Sequence, residues 1–381
     1  MKIPLAKPYF TDEEVNAVKK TILSGWVTQG PMVAEFERKF AAYVGAKYAV
    51  AVSSCTTALH LAMIVSNIQK NDQVICPSFS FIATANAIRY VGAKPVFSDI
   101  DEKTSNLDPL GAENKITKQT KAILLVHQMG LPADIDSFKK ICQKNNLKLI
   151  EDAACAIGSR YKNKKIGSHS DLVCFSLHPR KIITTGDGGM ITTSSKKIYE
   201  RLKRLRQHGM SVDDRTRHKS NKIIFEEYLE LGYNYRMTDI QASIGIKQLK
   251  KIDWIISERR IIAKKYNQAF GKINCLEIPK EPKDCFTNYQ SYSLYLNKDC
   301  PIFRNMLMQK LLNRGIATKP GIMTIHRQKA YADSEYQQLK LPISEKISDR
   351  SLILPLWVGM NKREINCVIK NIIDLTKTKS D

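Results

Sequence analysis

Apolar residues fall along this chain in two alternating rhythms. Short, nearly continuous runs rich in β-branched residues, KYAVAV (47–52), DQVICP (72–77), KPVFSDID (94–101), AILLVHQ (122–128), LKLIEDA (147–153) and LVCFSL (172–177), have the pattern of strands buried on both faces. Between them lie segments with apolar positions at helical spacing, such as TTALHLAMI (56–64). Strands alternating with helices in this way predict an α/β protein, with a mostly parallel sheet covered on both faces.

The flanking segments extend the picture. The run T-D-E-E from Thr11 is a capping-box signal for a helix that carries Val15, Val18 and Ile22 on one face and stops at Gly25. Past Asp239 a long helix is expected, with Ile240, Ile244, Ile252, Ile255, Ile256, Ile262 and Tyr266 as its apolar positions, and a lobe boundary within it. Beyond it, SYSLYLN (291–297) reads as a strand, with helices around 303–312 and over 362–375. The expected division is a large domain over 1–250, with an N-terminal arm, and a smaller C-terminal α/β domain over 251–381.

Composition narrows the class. With 381 residues and 43% hydrophobic content the chain can bury a large core, which excludes disordered and small disulfide-stapled classes. No apolar run approaches the roughly 18 residues of a membrane helix, and MKIPLAKPYF lacks a signal-peptide core, so a cytoplasmic protein is expected. Nine cysteines without any C-x-x-C spacing indicate neither a disulfide framework nor a metal site; most are expected to be buried thiols. The net charge of +23 suggests either a nucleic-acid surface or attraction for anionic ligands. Lys and Arg are scattered along the chain beside acids, which favours a solvated basic surface that helps to recruit a polyanionic substrate.

In parallel α/β sheets, ligands sit beyond the carboxyl ends of the strands. The polar residues there are Ser53-Ser54, Pro77-Ser78, His127-Gln128, Glu151-Asp152 and Ser176 to Lys181. Singly they are ordinary caps and solvated charges. Together, hydroxyls at a helix start (Thr56, Thr57), an acid at a strand end (Asp152) and a lysine before a Gly-rich turn (Lys181) make the set that a pyridoxal phosphate enzyme requires.

The segments SGWVTQGPMVAEFE, SSCTTALHLA, PSFSFIATANAI with GAKPVFSDID, EDAACAIGS, FSLHPRKIITTGDGGM, GYNYRMTDIQASIG and LILPLWVGM, in this order, resemble the DegT/DnrJ/EryC1/StrS family of pyridoxal phosphate-dependent nucleotide-sugar aminotransferases. The resemblance implies the fold-type I, aspartate aminotransferase-like architecture, with a large seven-stranded sheet domain and a smaller C-terminal domain. It implies Lys181 as the lysine that binds pyridoxal 5'-phosphate covalently and acts as acid and base, and Asp152 as the partner of the pyridine nitrogen. Phe81 matches the aromatic that stacks on the ring, and Thr56, Thr57 and Ser176 match phosphate-binding positions. Asn234 matches a residue that reaches the phosphate of the neighbouring subunit, which makes a homodimer with shared sites part of the expectation. Cys155 stands where the family commonly has Gln or His bonding the phenolic oxygen, and a thiol is a weaker partner. His326 and Arg236 match substrate-contacting regions, and for His326 a loop cap is the equal alternative. Arg215, Arg217 and Lys219 lie in a basic loop able to neutralise a diphosphate, although a solvated loop is the reading the sequence favours.

The implied activity moves an amino group, from glutamate, through pyridoxamine phosphate to a keto-deoxy sugar on a nucleotide diphosphate. The 208–234 segment resembles members of the GDP-perosamine 4-amination type, within lipopolysaccharide O-antigen or related amino-sugar biosynthesis. Two rival readings are a nucleotide-sugar dehydratase, which has histidine at the lysine position, and a non-catalytic regulatory or nucleic-acid-binding protein. No metal, membrane or nucleic-acid partner is expected.

Overall fold

A computed structural model describes residues 2–212, 221–331 and 334–377. In chain order its first lobe contains α1 (Asp12–Leu23), α2 (Pro31–Val44), β1 (Tyr48–Val52), α3 (Cys55–Val65), β2 (Gln73–Pro77), α4 (Ala83–Tyr90), β3 (Lys94–Ser98), α5 (Pro109–Glu113), β4 (Thr120–Val126), α6 (Ile135–Lys144) and β5 (Lys148–Asp152). A short ribbon, β6 (Arg160–Tyr161) and β7 (Lys164–Lys165), leads to β8 (Leu172–Ser176), β9 (Gly189–Thr193), α7 (Lys196–Leu205) and the long α8 (Asp239–Phe270). The remaining chain adds β10 (Leu276–Glu277), β11 (Cys285–Phe286), β12 (Tyr292–Leu296), α9 (Arg304–Asn313), β13 (Lys319–Pro320), α10 (Ser334–Gln337), α11 (Pro342–Arg350), β14 (Ser351–Leu354) and α12 (Lys362–Thr376).

The seven-stranded sheet has the order β1-β9-β8-β5-β4-β2-β3. Its neighbours from β8 to β3 pair in parallel, whereas β9 runs antiparallel to both β1 and β8. All six apolar runs are strands of this sheet. They are continuous because both faces are covered: Ile75, Ile123, Leu125, Val173 and Phe175 pack under α2, α6 and α8, and Val50, Val74, Leu124 and Ile150 pack under α3 and α4. The second lobe is an antiparallel sheet, β10-β12-β14-β13, covered by α9 and α12.

Helix α8 serves both lobes. Ala242, Ile246, Leu249, Ile252 and Ile256 enter the core beneath the large sheet, whereas Ile262, Ala263, Tyr266 and Phe270 enter the core around Tyr292, Leu294 and Leu352. One rigid helix thus ties the two sheets together. Helix α1 differs from its amphipathic reading. Val15 and Ile22 point outward, and the buried face carries Glu14 and Thr21 against α8. Glu14 accepts from the Thr11 amide at 2.9 Å and from Lys251 Nζ of α8 at 2.9 Å, so an ion pair rather than an apolar stripe sets its orientation. Among the described residues no helix is long and apolar enough to cross a membrane.

Candidate active site

Strand register builds the site. Val126, Asp152 and Cys174 stand side by side on β4, β5 and β8, so the carboxyl ends of these strands open on one rim. Period-two alternation sends neighbouring acids to opposite faces. Glu151 turns inward and accepts from His127 Nε2 at 2.8 Å, with both side chains fully buried; His127 Nδ1 is taken by the Ala133 amide. Asp152 turns to the other side. Its Oδ1 accepts from the Ala154 amide at 3.1 Å and its Oδ2 from the Thr84 hydroxyl at 3.0 Å. Burial pushes the Asp152 carboxyl above the ordinary carboxylate range, opposed by these two donors and by the Lys181 charge.

Lys181 lies in the turn between β8 and β9, closed by its own amide donating to the His178 carbonyl at 2.8 Å. Its Nζ is 3.3 Å from Cys155 Sγ. Burial alone would lower its pKa, but the neighbouring sulfur and the Asp152 carboxylate outweigh it and the net shift is upward. Residues from beyond α8 hold Cys155 and the neighbour of Lys181, Arg180, by their carbonyls. Asn288 Nδ2 donates to the Cys155 carbonyl at 2.8 Å, and Gln290 Nε2 donates to the Arg180 carbonyl at 2.8 Å. Lys319 of β13 also faces this turn, and burial, together with the positive charges of Arg180 and Lys181, pulls its pKa down.

Helix α3 begins at the same rim. Its N-cap Ser54 accepts from the Thr57 amide, and the Thr57 hydroxyl bonds back to the Ser54 amide and carbonyl at 3.1 and 2.8 Å. Thr57 is therefore committed to the cap, while the half-exposed Thr56 lies in the first turn, where helical N–H groups have no carbonyl partner. Ser176 ends β8 and is buried with its hydroxyl near the His178 amide, at 3.4 Å. Gly189 is required here: a Cβ would lie 2.3 Å from the Ser54 carbonyl oxygen, so a side chain would push β9 away from α3. Phe81 lies two residues before α4 with 58% of its surface exposed, which excludes a core role.

Arg236 pairs through its backbone with Val52, which places it beside the start of α3. Asn234 is two residues away on an exposed segment bridged to Gln207. His326 is not brought to open space. It is 4% exposed, with Nδ1 bonded to Ser78 Oγ at 2.6 Å and Nε2 to Glu345 at 3.2 Å, and it joins the end of β2 to α11. Burial lowers its pKa despite Glu345. Arg215, Arg217 and Lys219 lie outside the described residues. The expectation that most thiols are buried fails: all nine are free, but only Cys76, Cys142, Cys174 and Cys275 are buried.

Thr84, Asn288, Gln290 and Lys319 had no local signal as site residues, because the fold brings them from remote segments. Only the position of Thr84 in SFSFIATANAI, within the segment that leads into α4, could have pointed to it.

The donor set fits a pyridoxal phosphate group. A buried carboxyl that has two donors among the described residues and a raised pKa has room for a cationic N–H partner, the first turn of α3 is built for an anion, and a lysine amine stands at the same rim beside Cys155.

Residues 8–373 match the DegT/DnrJ/EryC1/StrS aminotransferase family, and the chain belongs to it. It is an aminotransferase. It is 36% identical to the spore coat polysaccharide biosynthesis protein SpsC of Bacillus subtilis over 98% of this chain and 97% of that protein. Among solved structures it resembles Helicobacter pylori PseC, an aminotransferase involved in pseudoaminic acid biosynthesis, with a TM-score of 0.91, 26% identity and 99% of each chain covered. It also resembles Streptococcus pneumoniae Spr1654, solved in PLP and PMP forms; the PLP form has a TM-score of 0.91, 26% identity and 99% of each chain covered.

Proposed function

We propose that this enzyme moves an amino group from glutamate to a keto-deoxy sugar carried on a nucleotide diphosphate, with pyridoxal phosphate held at Lys181. The observation that carries the reading is that Lys181 Nζ stands 3.3 Å from the sulfur of Cys155, three residues past Asp152, at the strand-end rim where α3 begins. When bound, the cofactor supplies an electron sink for the donor's α-carbon. Asp152 keeps the pyridine nitrogen protonated, and Thr84 and Ala154 hold its carboxylate in place. Lys181 takes the proton from the donor's α-carbon in one half-reaction and returns one to the sugar carbon in the other. The α3 N-terminus, Thr56 and Ser176 would hold the phosphate, Thr57 fixes that helix start, and Phe81 would pack against the ring. Cys155 would bond the phenolic oxygen, and Arg236 would meet the substrate.

The lysine at position 181 favours transamination over dehydration. Arg180 and Lys319 beside Lys181 make an anion-attracting mouth, which suits a diphosphate or a donor carboxylate. The active form is a cytoplasmic homodimer in which Asn234 reaches the partner's phosphate; outward-facing Val15, Ile22 and Leu23 of α1 and exposed Ile223, Phe225 and Leu231 supply apolar surface for such an interface. The division proposed at residue 250 lies inside the shared helix α8, which packs into both cores. The finer reading is 4-amination of the GDP-perosamine type. Mass spectrometry of products from GDP-, UDP- and dTDP-linked keto-sugars with glutamate tests it. An amino sugar from the GDP-linked 4-keto substrate supports the reading, and no amino sugar from any of them overturns it.

A further inference from the structure

Cys155 and Lys181 form a thiol–amine pair that the transamination chemistry does not need. Their 3.3 Å separation is maintained from two sides: Asn288 grips the Cys155 carbonyl at 2.8 Å, and Gln290 grips the Arg180 carbonyl at 2.8 Å. Both side chains are partly buried at the strand-end rim, whereas Cys76, Cys142, Cys174 and Cys275 are buried in the cores. Thiol oxidation proceeds through the thiolate, and the Lys181 nitrogen stands 3.3 Å from this sulfur. A sulfenic acid formed there meets a nitrogen nucleophile already in contact.

We propose that Cys155 and Lys181 are joined by a reversible sulfur–nitrogen bond when the enzyme meets hydrogen peroxide while Lys181 is free of cofactor. Peroxide gives one oxygen to Sγ; the sulfur is oxidised by two electrons, the peroxide is reduced, and one water is released. The Lys181 amine, having lost its extra proton to solvent, then attacks Sγ. The N–S bond forms, the S–O bond breaks, and the departing hydroxide takes a proton from nitrogen to leave as a second water. One peroxide is consumed, and the linked pair is lighter by two hydrogen atoms. Two equivalents of an external thiol reverse the bond and leave as their disulfide. The four-carbon stem of lysine supplies the rotation that closes the gap.

The link rests on Lys181 being the cofactor lysine only for its dependence on cofactor state. The pyridoxamine form, with Lys181 unbound, is open to it; the pyridoxal form is protected. Oxidation would therefore stop the enzyme in mid-cycle and thiols would restart it.

The test treats full-length holoenzyme, in its pyridoxal and pyridoxamine forms, with hydrogen peroxide, and maps peptides by mass spectrometry with and without dithiothreitol. The expected product is a Cys155–Lys181 cross-linked peptide, two hydrogens lighter than the sum of its parts, several-fold more abundant in the pyridoxamine form and lost on reduction. Cys155→Ser and Lys181→Arg should each remove it. The proposal is overturned if Cys155 proceeds to sulfinic acid with Lys181 unmodified, if a Cys55–Cys155 disulfide forms instead, if the linked pair retains an oxygen, or if no Cys155 oxidation occurs while exposed methionines are oxidised. Equal cross-linking in both cofactor forms would leave the bond standing and instead count against Lys181 as the cofactor lysine. Borohydride mapping of the unoxidised enzyme reports on that assignment separately.

Discussion

The Thr84 hydroxyl donates to Oδ2 of Asp152 at 3.0 Å, and this side-chain donor comes from a helix 68 residues earlier in the chain. The hydroxyl is itself within 2.8 Å of Ser80 Oγ, so a short polar chain ends on the carboxylate. Burial raises the Asp152 pKa and Thr84 opposes the rise. Thr84→Val removes a donor from the ionised form while keeping the shape, at a cost of about 1.5–3 kcal/mol for a hydrogen bond to a charge. The carboxyl should then titrate at higher pH. The acid limb of the kcat profile is expected to shift alkaline, and turnover on that limb to fall roughly tenfold or more. A profile that overlays the wild type would show that Thr84 does not tune Asp152.

Lys181→Ala should abolish the borohydride-reducible cofactor adduct and lower turnover by at least the roughly 10²–10⁴-fold that a positioned acid–base group contributes. Peptide mapping of the reduced protein checks it. An adduct that survives on another lysine would move the site. The analogous Asp152→Asn change, which preserves shape but not charge, should collapse turnover with little change in the unfolding temperature.

The legibility of the chain follows from the range of the forces involved. Strands β2, β4, β5 and β8 could be read because burial on both faces makes them continuous apolar runs, and Asp152 and Lys181 because they follow such runs. Helix α1 misleads for the opposite reason: its buried face is polar, and the cation that explains it, Lys251, is 237 residues from Glu14. Gln290 and Arg180 are likewise 110 residues apart, and no local pattern marks a side chain whose task is to hold a distant carbonyl. His326 lies near the expected stretch of chain, but its ring is consumed by Ser78 and Glu345, partners that only the folded chain assembles.

The Glu14–Lys251 pair gives a stability prediction with a definite sign. Burial raises the Glu14 pKa, but Lys251, Thr11 and Gln248 outweigh it, and the folded-state value lies below the ordinary 4.5. A depressed carboxyl adds stability that is fully present above the unfolded-state value and is lost as pH falls through the folded-state value. Glu14→Gln should therefore be less stable than wild type at neutral pH by about 2 kcal/mol, within the range for hydrogen bonds to charged groups. The gap should narrow below the ordinary carboxylate range. Urea unfolding at several pH values measures it, and a gap that is constant with pH would contradict the assignment.

Asn234 provides the test of the shared site. It is exposed, two residues from Arg236 at the start of α3, in a segment whose neighbours Leu229 and Leu231 are also exposed. In an isologous dimer each chain offers the same residue to the other's site. Lys181→Ala and Asn234→Ala proteins should each be inactive, the second through loss of cofactor. In a hybrid of the two, one site carries both lesions and the other carries neither. Random subunit exchange at equal concentrations makes half of the dimers hybrid, so activity should return to about one quarter of wild type. Were Asn234 to serve its own chain, each hybrid site would keep one lesion and no activity would return. Native mass spectrometry of the mixture establishes that exchange has occurred, so a silent mixture with proven hybrids would assign Asn234 to its own subunit. An Asn234→Ala protein that holds cofactor and turns over normally would remove it from the site altogether.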